Sequence, residues 1–450
     1  MITTLHQLAE AFHNRGSTLY GVGGMVRNPL LGLPVDDYDV CSDMEPEQVK
    51  ALAAEEGIPT CGPGAELGMI ELVVGDIICQ HTTFRSESYH EGCGHRPRNV
   101  AFSRSLSEDA KRRDFTVNTL YADILTDEII DPFGGLEDVK NRVLRAVDEH
   151  TMARDGVRIL RMVRFGAELS FDIDGAAFEA ARENVSLLRD LSPAWIRREL
   201  DRILLCDAKY GNEGLLKALE QLESLGALDI ILPEVTEGRG MAQRAEYHKY
   251  DVMNHLFHAA AAAAPCELTL RLAALLHDIG KPESFRTTGR MYMHDKISAE
   301  MAEKLLKRLC YPAHTIAEVR ELIRHHMYDL RGEAKDVTIR TWMALRGREL
   351  SRGLIELRRA DVWGSGVETG PVHTADRWQR VLEDMERRNV PFRESELAVS
   401  GKDIMEALNI PAGPKVGSVK RGLLLHCARA PEDNKREILL KIARDLVNNS

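Results

Sequence analysis

Two carboxylates one residue apart, Asp37 and Asp39 in "PVDDYDV", and an adjacent histidine–aspartate pair, His277 and Asp278 in "LLHDIGKPESF", are the side chains here best suited to metal chemistry. If the segment after Pro34 is a strand, its side chains alternate with period two. Asp37 and Asp39 then face one side and Asp36 the other. Carboxylates held that close repel each other, and a shared cation relieves the repulsion. An acidic surface turn is the other reading of the same run. Around His277–Asp278 the chain supplies His255, His294, His325, His326 and Asp361 at spacings that suit pairing of helices. Imidazole and carboxylate together suit divalent or transition metals, whereas a lone buried histidine is usually a satisfied core residue.

Just ahead of the aspartates lie Gly23, Gly24 and Arg27, and further on comes "EDAKRRDFTVNTL" at 108–120. A glycine pair opening a helix lets backbone N–H groups approach a phosphate, although most such pairs are turns. Phosphoryl and nucleotidyl transfer needs a divalent metal bridging the phosphates and cations to take up developing charge. The first segment offers the carboxylates; Lys111, Arg112 and Arg113 offer the cations, and Asp114 can accept hydrogen bonds from a sugar. A solvated charge run competes with that reading of "KRRD".

The elements that must position these groups follow from patterning. "TLYGVGG", "DDYDVCS", "MIELVVGDIICQHTTF" and "TLYADIL" read as strands divided by Gly, Asp and Pro turns. From about residue 141 the pattern turns helical. In "RDGVRILRMVRFGAELSF" apolar residues at 157, 160, 163 and 167 form a stripe with Arg158, Arg161 and Arg164 beside it. Further helices are expected over 213–234 and 248–365, with a helical tail after "WGSGVETGPVH". The expected fold class is α+β. A small mixed α/β head with an antiparallel-type sheet is followed by an elongated, all-helical neck, body and tail.

With 450 residues, 44% hydrophobic and 29% charged, the chain has the makeup of a soluble multidomain protein. No apolar run nears the roughly 20 residues that span a bilayer, and "MITTLHQLAEAFHNRG" reads as an amphipathic helix, not a signal peptide. Eight cysteines (41, 61, 79, 93, 206, 266, 310, 427) without a CxxC pair suggest reduced thiols and a cytoplasmic setting. The net charge of −11 argues against indiscriminate coating of nucleic acid, so any RNA contact needs a local basic track. Residues 154–202 hold nine arginines against nine acids, which leaves such a track to spatial sorting.

The order GG-x-VR-x-x-LLG, then D-x-D, then RRDFT-x-N resembles the bacterial CCA tRNA nucleotidyltransferases and poly(A) polymerases, class II members of the polymerase β superfamily. "DPFGGLEDVKNRVLRAV" (131–147), "DGVRILRMVRFGAELSF" (155–171) and "SGKDIMEALNIPAGPKVGSV" (400–419) extend the resemblance over nearly the whole length. The resemblance implies that Asp37 and Asp39 are catalytic and bind Mg²⁺, and that Gly23, Gly24 and Arg27 hold the incoming triphosphate. It implies phosphate and ribose contacts for Arg112, Arg113 and Asp114, with Asn118 also at the nucleotide site. Asp155 and Arg158 would present hydrogen-bonding edges to the base of CTP or ATP; a surface i,i+3 ion pair is their alternative. The histidine-rich segment resembles the HD phosphohydrolases, implying His255, His277, Asp278 and Asp361 as ligands of a second divalent or transition metal.

The implied activity is template-independent addition of C, C and A to tRNA 3′ ends, with tRNA, ATP and CTP as partners and no membrane. A poly(A) polymerase, a partial CC- or A-adding enzyme, and an HD phosphohydrolase with a non-catalytic RNA-binding head are the alternatives. The implied division is a palm at 1–140, a base-selecting and RNA-binding neck and body at 141–235, an HD domain at 236–370 and a tRNA-contacting tail at 371–450. Departures from the family pattern are Asn28 for an aspartate, Gln80 for a glutamate near the metal, Arg154 for an acid, and Ala194–Trp195 for an acid–base pair. The insertion-like "YHEGCGHRPRN" at 89–99 is also unusual.

Overall fold

The structure, a computed structural model, describes residues 2–61, 68–88 and 99–448; nearly all of the 89–99 segment, with Cys93, lies outside them. Packing divides the chain into two compact units, Met1–Pro233 and Glu234–Ser450.

The first unit opens with a helix, Leu5–His13, capped by Thr4. The strands are β1 (Tyr20–Val22), β2 (Tyr38–Ser42), β3 (Thr60–Cys61), β4 (Met69–Val74), β5 (Ile77–Thr83), β6 (Arg85–Ser88), β7 (Asn99–Phe102), β8 (Tyr121–Asp123) and β9 (Ile129–Ile130), then β10 (Val143–Leu144) and β11 (Asp172–Ile173). Seven of them form one sheet in the order β3-β4-β5-β2-β1-β8-β9. Every neighbouring pair is antiparallel except β2–β5, which is parallel, so the expected antiparallel-type sheet is mixed at its centre. The long apolar run at 69–84 is not one strand. It folds back at Gly75, whose φ of 60° suits a residue without Cβ, giving the β4–β5 hairpin.

Alternation decides the faces. Ile70, Leu72, Val74, Cys79 and Val40 point into a core built with the Leu5–His13 and Pro46–Glu55 helices. The other face carries Val22, Cys41 and Tyr121 against Phe84 and Ala110. Asp39, two residues before Cys41, therefore stands on this second face.

Helices carry the chain out of the head, interrupted by the parallel β10–β11 pair. The Val157–Leu169 helix is largely buried: Arg164 is enclosed as fully as Leu160 and Val163, and Arg158 nearly so. The arginine stripe thus turns inward and is not a solvated face. The reason lies in the covering elements, the Pro193–Leu204, Cys206–Tyr210 and Leu215–Ser224 helices, which leave only Arg161 and Phe165 of its inner turns partly exposed.

The second unit is helical throughout its described residues. His255, His277, Asp278, His294, His325, His326 and Asp361 lie on or beside the helices Val252–Ala262, Leu268–Leu276, His294–Arg308, Ala313–His325 and Arg348–Gly364. Gly364 lets the first and last of these pack closely: a Cβ there would lie 2.5 Å from the Ala259 nitrogen. The His373–Arg387 helix joins this group, with Trp378 against Tyr328 and Trp342. The three last helices, from Gly401 onward, build a separate core around Ile404, Leu423 and Leu439. Among the described residues no helix is long and apolar enough to cross a membrane.

Candidate active site of the head and a histidine–aspartate centre

Asp37 lies just before β2 and is exposed; Asp39 lies within the strand and is half-buried. Burial pushes the Asp39 carboxyl above its ordinary value, and the charge of Asp37 adds to this against the opposing guanidiniums of Arg113, Arg161 and Arg27. One strand over, Gln80 is the register partner of Asp39, and Glu71 is the partner of Gln80 beyond it. Those three side chains form a row on the open face of the sheet.

The RRD segment packs onto that face through a residue that the sequence reading passed over, Asp109. Its Oδ1 accepts from Arg112 Nε at 2.8 Å, and its Oδ2 accepts from Arg113 Nη2 at 3.0 Å and from the Tyr121 hydroxyl at 2.7 Å. Burial works against the charge, yet Arg113 and Arg112 hold this carboxyl down to about 2. Asp109 fixes the direction of both arginines.

Asp114 is filled from four sides. Its Oδ1 accepts from the Phe115 amide and the Asn118 side chain, both at 2.9 Å. Its Oδ2 accepts from Arg161 Nε at 2.8 Å and lies 2.6 Å from Arg161 Nη2. Burial opposes the charge, but Arg161 keeps the carboxyl well below the usual carboxylate range. Asn118 turns its carbonyl oxygen to Arg27, so Arg27, Asn118, Asp114 and Arg161 form one chain of hydrogen bonds.

Arg27 is 4% exposed. Its guanidinium folds over Gly24, and its acceptors are amides: Asn28 Oδ1, 2.8 Å from Nη2, and Asn118 Oδ1. Asn28 also donates to the Pro34 carbonyl and to the Tyr210 hydroxyl at 3.0 Å. Gly23 opens the helix Gly24–Leu30 with φ 64° and ψ −122°, which a Cβ would strain. Phe165 lies beneath three guanidiniums, those of Arg27, Arg161 and Arg164, at 5.3, 5.1 and 4.1 Å from its ring centre.

Asp155 and Arg158 are 8% and 6% exposed, so neither lies on the surface. Arg158 donates to the main-chain carbonyls of Arg112 at 2.6 Å and Thr151 at 3.2 Å, tying its helix to the RRD segment. Arg154 pairs with Asp148, while Trp195 lies under Arg198. The head therefore brings together Asp37, Asp39, Arg27, Arg113, Asp114 and Asn118, with Arg112 and Arg158 behind them.

In the second unit, His255, His277, Asp278 and Asp361 converge. His255 Nε2 lies 3.1 Å from His277 Nε2, 3.2 Å from Asp361 Oδ1 and 3.5 Å from Asp278 Oδ2. Lys281, also held by Gln243, contacts Asp278 Oδ2. Burial disfavours charge on His277, but Asp278 and Asp361 push its imidazole up to about 10. The donor set of two imidazoles and two carboxylates fits a divalent ion. His294 and His326 are drawn into the same interior; His325 turns away toward Glu321 and Trp342.

The description "Poly A polymerase head domain" matches residues 19–145, "Probable RNA and SrmB- binding site of polymerase A" matches 170–238, and "HD domain" matches 246–363. An A-adding tRNA nucleotidyltransferase of Deinococcus radiodurans is 34% identical over 423 residues, 89% of either chain. The chain belongs to the tRNA nucleotidyltransferase and poly(A) polymerase family. A CCA-adding enzyme of Streptococcus sanguinis is 29% identical over 92% of this chain and 90% of its own. The crystal structure of the Bacillus stearothermophilus CCA-adding enzyme in complex with CTP superposes with a TM-score of 0.71 at 26% identity, covering 99% of this chain and 98% of that one. This chain is thus a nucleotidyltransferase that also carries an HD domain.

For a nucleotidyltransferase, the head offers two carboxylates for a metal and a cluster of guanidiniums for a triphosphate. Sequence reading left out Asp109, Arg161, Phe165 and Tyr210. Arg161 carried a signal, its place three residues after Arg158 on one helix. Tyr210 carried none.

Proposed function

We propose that the head adds C, C and A, drawn from CTP and ATP, to the 3′ end of tRNA. One observation carries the reading: Asp39 stands on the open face of the sheet, under the charges of Asp37, Arg27, Arg113 and Arg161. Asp37 and Asp39 would hold Mg²⁺, whose chemistry is to lower the pKa of the attacking 3′-hydroxyl and offset charge on the leaving pyrophosphate. Arg27, over Gly24 and next to Gly23, takes the triphosphate. Arg112 and Arg113, aimed by Asp109, take up developing phosphate charge. Asp114 and Asn118 receive the ribose, a hydroxyl replacing one of the four donors now on Asp114. Asp155 and the anchored Arg158 give the base paired acceptors and donors, worth about 1–3 kcal/mol of discrimination per bidentate contact.

This reading divides the chain into a palm (1–140), a base-selecting and RNA-binding neck and body (141–235), an HD domain (236–370) and a tRNA-contacting tail (371–450), working in the cytoplasm. The Deinococcus relative, named for A addition alone, favours an A-adding enzyme as the alternative. Tests use tRNA lacking its terminal nucleotides, Mg²⁺ and labelled CTP or ATP, singly and together. Two C then one A supports CCA addition. A single A added only to tRNA that already ends in CC establishes the A-adding enzyme, and long A tracts a poly(A) polymerase. Asp39→Ala abolishes incorporation and leaves tRNA binding within a few-fold; turnover retained in that variant refutes the metal assignment.

The histidine–aspartate centre supports a second activity, metal-dependent hydrolysis of phosphomonoesters or 2′,3′-cyclic phosphates at RNA ends. Phosphate release that survives in Asp39→Ala and disappears in Asp278→Ala separates it from the head.

A further inference from the structure

The two ends of the Asn28 amide do opposite work. Its Oδ1 accepts from Arg27 twice, from Nε at 3.2 Å and from Nη2 at 2.8 Å. A guanidinium has only donors, so the amide oxygen must face it and the NH₂ must face away. Nδ2 then donates to the Pro34 carbonyl at 2.8 Å and to the Tyr210 hydroxyl at 3.0 Å. Asn28 is 4% exposed, so each of these bonds replaces one to water. A carboxylate at this position would set an oxygen against the Pro34 carbonyl, so the pocket is built for an amide.

Tyr210 belongs to a turn that touches three parts of the first unit. Ahead of it, Lys209 lies 3.7 Å from Asp36, the residue before Asp37. Behind it, Gly211 ends the Cys206–Tyr210 helix with a φ of 69°, and Asn212 Nδ2 donates to the Ala167 and Glu168 carbonyls at 3.0 and 2.9 Å. Those carbonyls close the Val157–Leu169 helix, which carries Arg158 and Arg161. The Lys209 contact is exposed and holds little. The Asn212 bonds fix the turn, and from there Tyr210 reaches Asn28.

We infer that Tyr210 is a positioning residue of the triphosphate site: its hydroxyl, accepting from Asn28, keeps the amide oxygen on Arg27 and so fixes where that guanidinium points. The inference rests on the reading that Arg27 takes the triphosphate. Without the hydroxyl, a buried N–H of Asn28 loses its acceptor, and the amide gains by turning. Arg27 is then held by Asn118 and the Phe165 ring, with its second amide partner loosened. A guanidinium free to wander weakens binding of the anion and leaves contacts to the base untouched.

The test measures ATP incorporation by the full chain on tRNA ending in CC, with inorganic triphosphate, which has neither base nor ribose, as competing inhibitor. Tyr210→Phe keeps the ring and its packing. It should raise KM for ATP and Ki for triphosphate together by about three- to tenfold, with kcat and KM for tRNA within about twofold. Asn28→Ala should raise both at least as far, and Tyr210→Phe added to it should change neither further. Tyr210→Phe and Arg27→Met decide alone if thermal melts show that Asn28→Ala does not fold. Unchanged KM and Ki in Arg27→Met refute the triphosphate role of Arg27 and this inference with it. Both raised by Arg27→Met but neither by Tyr210→Phe overturns the inference alone. An equal effect of Tyr210→Phe with and without Asn28 overturns the route through that amide. A rise in KM without one in Ki places Tyr210 at the base or ribose and overturns it too.

Discussion

Arg161 on the helix leaving the head and Asp114 in the RRD segment are joined twice, Nε and Nη2 both reaching Oδ2. The pair ends a chain of hydrogen bonds that begins at Arg27, and so links the groups proposed for the triphosphate to the helix proposed to read the base. Arg161→Met leaves a buried carboxylate without its main cation. We expect a loss of about 2–3 kcal/mol in urea unfolding of the full chain and a fall in kcat beyond tenfold. Arg161→Lys should recover less than half of either, because an ammonium cannot reproduce the fork. Asp114→Asn combined with Arg161→Met should cost less than the sum of the two changes.

Asn28 lies where relatives were expected to carry an aspartate, and it accepts from Arg27 without neutralising it. A buried guanidinium held by amides and an aromatic ring keeps its charge available to an anion. Asn28→Asp should raise KM for CTP and ATP several-fold with a smaller change in kcat, and the KM effect should shrink in high salt. An unchanged KM would show that Arg27 does not meet the triphosphate.

Asp109 predicts a limb of acid instability. Its folded carboxyl titrates at about 2, against about 3.9 in an unfolded chain. Because the folded value is the lower one, this stabilisation is complete above about pH 5 and is lost as pH falls toward 2; it amounts to on the order of 2 kcal/mol. Urea midpoints between pH 5 and 2.5 should show a shallower fall for Asp109→Asn, with about one proton fewer taken up on unfolding. At pH 7 the same variant should be the less stable chain, since Arg112 and Arg113 lose their shared partner.

Gly364 tests how far helix packing governs the histidine–aspartate centre. A methyl group there would meet the Ala259 nitrogen and Cα at 2.5 and 2.6 Å, so the two helices must part. His255 lies one turn from Ala259 and Asp361 one turn from Gly364. Gly364→Ala should cost about 1–3 kcal/mol and weaken Mn²⁺ binding by at least tenfold in titrations monitored by EPR. Nucleotide incorporation by the head should change little.

Side-chain alternation made the strands of the head legible and set Asp37 and Asp39 on one side, while the resemblance to a family, not spacing, singled out the RRD segment. What escaped was whatever depends on which neighbour covers a surface. Arg158, Arg161 and Arg164 beside an apolar stripe look like a solvent-facing edge. Arg158 and Arg164 are interior because neighbouring segments supply the Arg112 and Thr151 carbonyls and the Glu199 carboxylate, with Phe165 of the same helix beneath Arg164, while Arg161 stays partly exposed on Asp114. Asp109, one acid among several in "EDAKRRD", gains its role only when Tyr121 and both arginines meet it. Of the adjacent His325 and His326, composition cannot say which turns inward. The end of the Ala313–His325 helix does, by directing His326 Nδ1 to the Ile323 carbonyl.

The side chains of the histidine–aspartate centre come from positions 255, 277, 278, 294, 326 and 361, on or beside five different helices. During synthesis nothing like this centre exists until the last of those residues has left the ribosome. An ion held by His255, His277, Asp278 and Asp361 would act as a rivet set after the plates are stacked, holding three separate segments at once. Scarcity of that ion would therefore show first as slow or faulty maturation of this half of the chain, before any reaction is missed.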